Sequence, residues 1–192
     1  MLKDLIVKNR SYRRFREEAA IERETLTDLI ELARLSPSTA NRQPLKFWIS
    51  CDPQTNSRIF PHLGWAGYLK DWPGPAEGER PAAYIVILAD TDISANVGCD
   101  HGIAAQSIVL GAVEQGLGGC MIGSIRKEEL REAVRIPARY KILLVIALGV
   151  PQETVVLEAV NADNDIQYWR DAADVHHVPK RALDTLVLDI SS

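Results

Sequence analysis

Cysteine is scarce in this chain: Cys51, Cys99 and Cys120 are the only three in 192 residues, and none belongs to a CxxC pair. An odd, dispersed set gives no disulfide framework and fits a reducing compartment, where thiols pack as small apolar groups. Long apolar runs are missing as well. No segment approaches the roughly 20 apolar residues that span a bilayer. The opening MLKDLIVKNR lacks an apolar stretch of roughly 7–15 residues behind a basic start. Nor is there a cationic excess, since 22 Lys and Arg stand against 26 Asp and Glu, for a formal net charge of −4. That balance argues against broad nucleic-acid or membrane-surface binding, while leaving room for a small basic pocket for one phosphate. The expectation is a soluble, cytoplasmic globular protein with neither a nucleic-acid nor a membrane partner.

Several chemical signatures are absent too. The segment Gly116-Leu117-Gly118-Gly119-Cys120-Met121-Ile122-Gly123 is glycine-rich, but its spacing is not GxGxxG and it follows a helical pattern instead of opening one. It reads better as a close-approach backbone segment, where Gly123 would let a flat ligand reach main-chain N–H groups. There is no P-loop and no GxSxG nucleophile elbow. His176 and His177 are neighbours in an extended stretch and would point to opposite faces. Neither they nor Cys99-Asp100-His101 is expected to hold a metal.

What is present suits one domain with a real core: 46% of residues are hydrophobic and 25% charged, ordinary globular values. Leu2, Leu5 and Ile6 predict a short amphipathic helix. Leu26, Leu29, Ile30, Leu32 and Ala33 predict a second one from about Glu22 to Leu35, ended by Pro37. Phe47 to Cys51 reads as a strand, followed by Asp52-Pro53 as the cap and first turn of a short helix to Phe60. Ala83–Ala89 and Ile142–Leu148 are continuous apolar runs suited to central strands covered on both faces. Between them a helix is expected from Val97 to Gln115, apolar nearly all round from Gly102 to Val113 and so buried. Gly116 caps it, Gly118–Ile122 reads as a short strand, and Arg126–Val134 as an exposed helix. This mixture without a regular βαβ beat predicts an α+β fold with one sheet flanked by helices. The expected organisation is a single domain over residues 1–192, with 61–81 as a lid and 151–192 as an arm lacking its own core.

Four segments carry candidate chemistry. Arg10-Ser11-Tyr12-Arg13 places two guanidiniums and a hydroxyl within four residues, able to form a charge-assisted cage for a phosphate; taken alone, it is more often a solvated basic turn. Ser38-Thr39-Ala40-Asn41-Arg42-Gln43 offers short donors and acceptors between two prolines, fit to read the polar edge of a planar heterocycle. Gly119–Gly123 is the third, and Val178-Pro179-Lys180-Arg181 adds basic residues near the far end.

In this order the segments resemble the nitroreductase family of flavoproteins. Arg10-Ser11-Tyr12-Arg13-Arg14-Phe15 is similar to the family's R-S-x-R-x-F motif. Ser36-Pro37-Ser38-Thr39-Ala40-Asn41-Arg42-Gln43-Pro44 is similar to its S-P-S-x-x-N-x-Q-P loop. Gly119–Gly123 resembles the turn beneath the flavin, and Pro179-Lys180-Arg181 the C-terminal basic motif.

The resemblance implies a central, mostly antiparallel sheet flanked by helices and an arm-exchanged homodimer with FMN at the interface. Arg10, Ser11, Arg13, Lys180 and Arg181 would hold the FMN phosphate. Pro37, Ser38, Thr39, Asn41 and Gln43 would line the isoalloxazine ring from the second subunit, and Met121, Ile122 and Gly123 would lie against it. Trp65, Tyr68 and Lys70 are candidate substrate contacts. The implied activity is reduction of nitroaromatics, quinones or similar planar acceptors, with NAD(P)H as co-substrate and a ping-pong hydride transfer through FMN N5. No side-chain acid–base dyad would be needed. Reductive dehalogenation, alkene reduction, flavin cleavage or a flavin-binding redox module are alternatives on the same scaffold. Asn9 departs from the family, where many members carry another basic residue.

Overall fold

The two continuous apolar runs fold as the paired central strands of one antiparallel sheet. In the computed structural model, which describes residues 1–188, the chain runs α1 (Leu2–Lys8), β1 (Phe15–Arg16), α2 (Arg23–Leu35), β2 (Leu45–Ser50), α3 (Pro53–Ile59) and β3 (Ala83–Asp90). It continues with α4 (Asp100–Glu114), β4 (Gly118–Ile122), α5 (Lys127–Val134), β5 (Tyr140–Pro151), β6 (Val155–Ala159), β7 (Trp169–Arg170) and β8 (His176–Lys180). The last four residues of the expected arm, 189–192, lie outside the described residues.

The main sheet follows the order β1-β5-β3-β2, with β4 also paired to β5. All its pairings are antiparallel. β3 against β5 runs in register from Ala83↔Leu148 to Asp90↔Tyr140, with one shift between Ile87 and Leu88. Alternation along β3 explains why the whole run is apolar. Ile85 and Ile87 face α2 and α4, where Leu26, Leu29, Ala105, Ile108 and Ala112 pack with them. Tyr84, Val86 and Leu88 face the other way onto Ile59 of α3 and Leu130 and Val134 of α5. A strand covered on both faces has no position for a polar residue. The α+β architecture is the one expected. A small second sheet, β6-β8-β7, is parallel between β6 and β8 and antiparallel between β7 and β8. Among the described residues no helix is long and apolar enough to cross a membrane.

Local chemistry sets the element ends. Asp52 caps α3 by accepting from the Thr55 backbone N–H at 2.8 Å, with Pro53 in the first turn. The helix expected from Val97 begins at Asp100 instead. The Asn96 side chain accepts from the Gly98 N–H at 2.9 Å, and Gly98 sits at φ +50, so residues 96–99 form a turn that blocks an earlier start. The same helix is not buried all round: Ala104, Ala105, Ile108 and Val109 face the core, while Ile103 is 39% exposed.

The 61–81 stretch is tied down at its start. Leu63 pairs with Ile125, and the Gly64 N–H donates to Ser124 O at 2.8 Å. Trp65 packs against the second core cluster, with its ring 5.7 Å from that of Phe60.

Candidate active site

Gly118 brings the chain's N-terminal turn onto the sheet. A Cβ there would meet the Tyr12 ring and Pro151 at 2.6 Å, so only glycine permits the approach. Ser11 consequently bridges Gly119, and the Tyr12 N–H donates to Gly119 O at 3.1 Å. β8 arrives at the same place from the far end of the sequence. Arg10, Ser11, Arg13 and Lys180 thus line one cavity of about 360 Å³, together with Gly119 and Met121 of β4 and Gln106 and Val109 of α4. Tyr168 and His176 complete its wall.

The cations are held by neutral neighbours. Arg13 Nη1 donates to Ser11 O at 3.2 Å and lies 3.2 Å from His176 Nε2, while its guanidinium carbon sits 4.8 Å from the Tyr168 ring centroid. Burial pushes the His176 imidazole down to about 4, with Arg13, Arg170 and His177 adding to the effect. It is therefore neutral at physiological pH, with Nε2 accepting from Arg13. Arg10 Nη2 donates to Ile6 O at 2.7 Å, and burial lowers the Arg10 guanidinium. Arg10 Nε and His176 Nδ1 are buried without a partner among the described residues. Orphaned donors beside Arg13 and Lys180 are the chemistry an anionic oxygen satisfies.

His176 also makes a pH prediction. Its folded value lies below the ordinary 6.5, so its contribution to stability is complete above that value and is lost as pH falls towards about 4. Melting temperatures measured across this interval should fall less steeply for His176→Gln than for the wild type. Equal slopes would reject the assignment. The adjacent His177 is shifted the other way: burial opposes its charge, but bonds to Asp171 and Glu158 outweigh it.

The 38–43 loop is built around Asp100 at the start of α4. Ser38 Oγ donates to Asp100 Oδ2 at 2.6 Å, and the Thr39 N–H and Oγ1 donate to Oδ1 at 2.9 and 2.8 Å. Burial penalises the Asp100 charge, but these bonds more than compensate and lower its carboxyl. Gln43 N–H donates to Ser38 Oγ at 3.0 Å, and Gln43 Nε2 to Asn41 Oδ1 at 3.1 Å. Ala40, Asn41 and Gln43 all have positive φ, at 51, 53 and 51. Each such residue costs about 1–2 kcal/mol, so the loop keeps its shape only because Asp100 anchors it; concentrated strain of this kind is a mark of functional segments.

The structure gathers only some of the expected residues. Arg10, Ser11, Arg13, Met121 and Lys180 share the basic cavity beside β4. Pro37, Ser38 and Gln43 line a separate groove with α2, Asp100 and Ala104. Arg181 is exposed and lies outside the cavity wall. The Ile122 side chain is buried in the core, leaving only its backbone for a ligand. A Cβ at Gly123 would meet nothing within 4 Å, so its main chain is open to approach. Tyr68 and Lys70 line a shallower groove with Arg14, Trp72 and Arg170. Tyr68 also packs on Tyr168 at 4.9 Å between ring centroids. Trp65 is partly buried against the second core cluster and does not line that groove. Sequence reading missed Asp100, Gln106, Val109, Tyr168 and His176 as parts of these sites. Asp100 and His176 stand out in the sequence only within the His176-His177 and Cys99-Asp100-His101 groups, neither of which is expected to hold a metal.

A helix-flanked antiparallel sheet with a basic cavity where the two ends of the chain meet defines the class of protein. Residues 6–150 match the profile of the Nitroreductase family. The chain belongs to the nitroreductase family of oxidoreductases. It is 26% identical over 157 residues to an Archaeoglobus fulgidus protein provisionally named NADH dehydrogenase/NAD(P)H nitroreductase, covering 78% of this chain and 84% of that one. A solved nitroreductase family protein from Clostridium novyi NT is 27% identical at a TM-score of 0.64, covering 79% of this chain and 87% of its own. An FMN-dependent nitroreductase from Clostridium difficile R20291 is 26% identical at 0.63, covering 84% and 92%.

Proposed function

We propose that the protein binds FMN and uses NAD(P)H to reduce nitroaromatics, quinones or similar planar acceptors. The observation that carries this reading is the meeting of Arg10, Ser11, Arg13 and Lys180 in one cavity beside β4. Their donors suit a phosphate monoester, and the buried Arg10 Nε–H, without an acceptor among the described residues, is a free donor of the right kind. Asn9 also lines this cavity and offers an amide where a further cation would strengthen the grip. The open backbone at Gly123 suits a flat ring lying along the end of β4. The NAD(P)H- and FMN-linked names of the relatives agree with it.

When bound, FMN supplies the electron-carrying chemistry between reduced nicotinamide and acceptor. The chain's own residues anchor its phosphate, exclude water and present main-chain N–H groups from Ile122 and Gly123. These N–H groups require no protonation change of their own, so no acid–base dyad is called for.

The working form in this reading is a homodimer. The 38–43 loop lies outside the anion cavity of its own chain, and Gly102, Ile103 and Gln106 leave one side of α4 exposed. Pro37, Ser38, Thr39, Asn41 and Gln43 then line the ring from the second subunit, and Arg181 joins the phosphate site. Tyr68 and Lys70 face the acceptor.

The direct test is the absorption spectrum of the purified protein, followed by anaerobic mixing with NADH or NADPH. A flavin band that bleaches on mixing is expected. A colourless protein that fails to take up added FMN removes the cofactor, and a band that neither nucleotide bleaches removes the reductase activity.

A further inference from the structure

Behind the anion cavity, a buried carboxylate joins the two ends of the chain. The Glu153 side chain, two residues beyond β5, is 1% exposed. Its Oε1 accepts from the backbone N–H of Arg13 and, at 3.2 Å, from that of Arg14. Its Oε2 accepts from Arg170 Nη2 at 2.8 Å. Arg170 is itself 10% exposed and lies 4.4 Å from the Trp72 ring centroid. A buried carboxylate is tolerated only when its oxygens are fully bonded and its charge is met. Here two consecutive N–H groups bond one oxygen, and the Arg170 guanidinium bonds the other and meets its charge.

Two successive N–H groups on one oxygen fix the two peptide planes on either side of the Arg13 Cα, and with them the direction in which the Arg13 side chain leaves the backbone. That side chain then spans Ser11 O and His176 on the cavity wall. Glu153 does not line the cavity. Facing it directly, a carboxylate would repel an anion; behind the peptide and paired with Arg170, it orders the donors without presenting its own charge.

We infer that Glu153 is the positioning residue of the anion site: by clamping the peptides on both sides of Arg13 it aims the Arg13 guanidinium at the ligand's phosphate without touching it. This rests on the FMN reading above. A purely structural clamp would lower stability alone, or weaken all flavin binding equally. A positioning residue acts on the phosphate contact.

The test compares FMN with riboflavin, which has the same ring and no phosphate, by quenching of flavin fluorescence on titration into the apoprotein. The wild type should prefer FMN strongly. Glu153→Ala should lower FMN affinity about tenfold or more, the loss of one charge-assisted contact, with riboflavin affinity essentially unchanged. Glu153→Gln keeps an oxygen for the two N–H groups and should recover most of the FMN affinity. Should the alanine variant fail to fold, Glu153→Asp draws the carboxylate back by one methylene and should cost FMN about fivefold with riboflavin unaffected. An unchanged FMN-to-riboflavin ratio in the folded variants overturns the inference while the FMN reading stands, whatever happens to the melting temperature. A wild type that binds neither flavin overturns both.

Discussion

Replacing Arg13 and Lys180 together with alanine is expected to weaken FMN binding by about two orders of magnitude or more. Each cation would give the phosphate a charge-assisted hydrogen bond, and removing one such contact costs about 1.5–3 kcal/mol. The pair together reaches about 3–6 kcal/mol, and each 1.4 kcal/mol is tenfold in affinity. Arg13 should be the larger half. Its guanidinium is already immobilised by Ser11 O, His176 and the Tyr168 ring, so it loses little freedom on binding, whereas Lys180 is exposed and must be ordered. The effect should shrink as salt is raised, because the contact is ionic. Fluorescence titration of the double variant measures it directly, and an affinity equal to the wild type would remove these residues from the phosphate site.

The second large effect is expected at Asp100. Asp100→Ala would leave the Ser38 hydroxyl and the Thr39 N–H and hydroxyl without their acceptor in a loop with three left-handed non-glycine residues. Orphaned donors and the lost charge-assisted bonds amount to about 2–4 kcal/mol. For a chain of this size that is a fall of about 5–15 °C in melting temperature. Because the Asp100 carboxyl is lowered by its bonds, its stabilisation is present above the ordinary carboxylate range and is lost as pH falls through the depressed value. Asp100→Asn should lack that acid-side loss while keeping one acceptor. Calorimetry from neutral to acid pH separates the three proteins, and an Asp100→Ala protein as stable as the wild type would show that the loop does not depend on its anchor.

The parts of this structure that the sequence foretells are those whose cause is local. β3 is announced by seven consecutive apolar residues, because both its faces are covered. The start of α3 is announced by Asp52-Pro53, because a cap and its helix are neighbours. Asp100 and Glu153 show the opposite case. Each is an ordinary acidic residue until the fold brings it donors from 61 and 140 positions away, and no periodicity encodes that meeting. α4 shows a third case: composition says that it is apolar, but not what covers each side, and Ile103 is left in the open. Trp65 was legible as a large aromatic in a proline- and glycine-rich stretch, yet its packing against the second core cluster depends on Phe60 and on the bond from Gly64 to Ser124. For the basic cavity, Arg10, Arg13 and Lys180 were legible as a set only through their order along the chain relative to the Ser38–Gln43 and Gly119–Gly123 segments. Tyr168 and His176 had no such order to reveal them.

The meeting of Arg13 with Glu153 and His176 spans 140 and 163 residues of sequence, and this bears on when the site can exist. Helices and hairpins close short loops early, but contacts this distant must wait for almost the whole chain. A nascent chain whose synthesis has just passed β5 and Glu153 already owns its main sheet and still lacks Arg170, which pairs with Glu153, and His176 and Lys180 of the cavity wall. The basic cavity is therefore among the last features to form on the way to the folded protein, so, under the proposed function, cofactor capture would report that folding is complete.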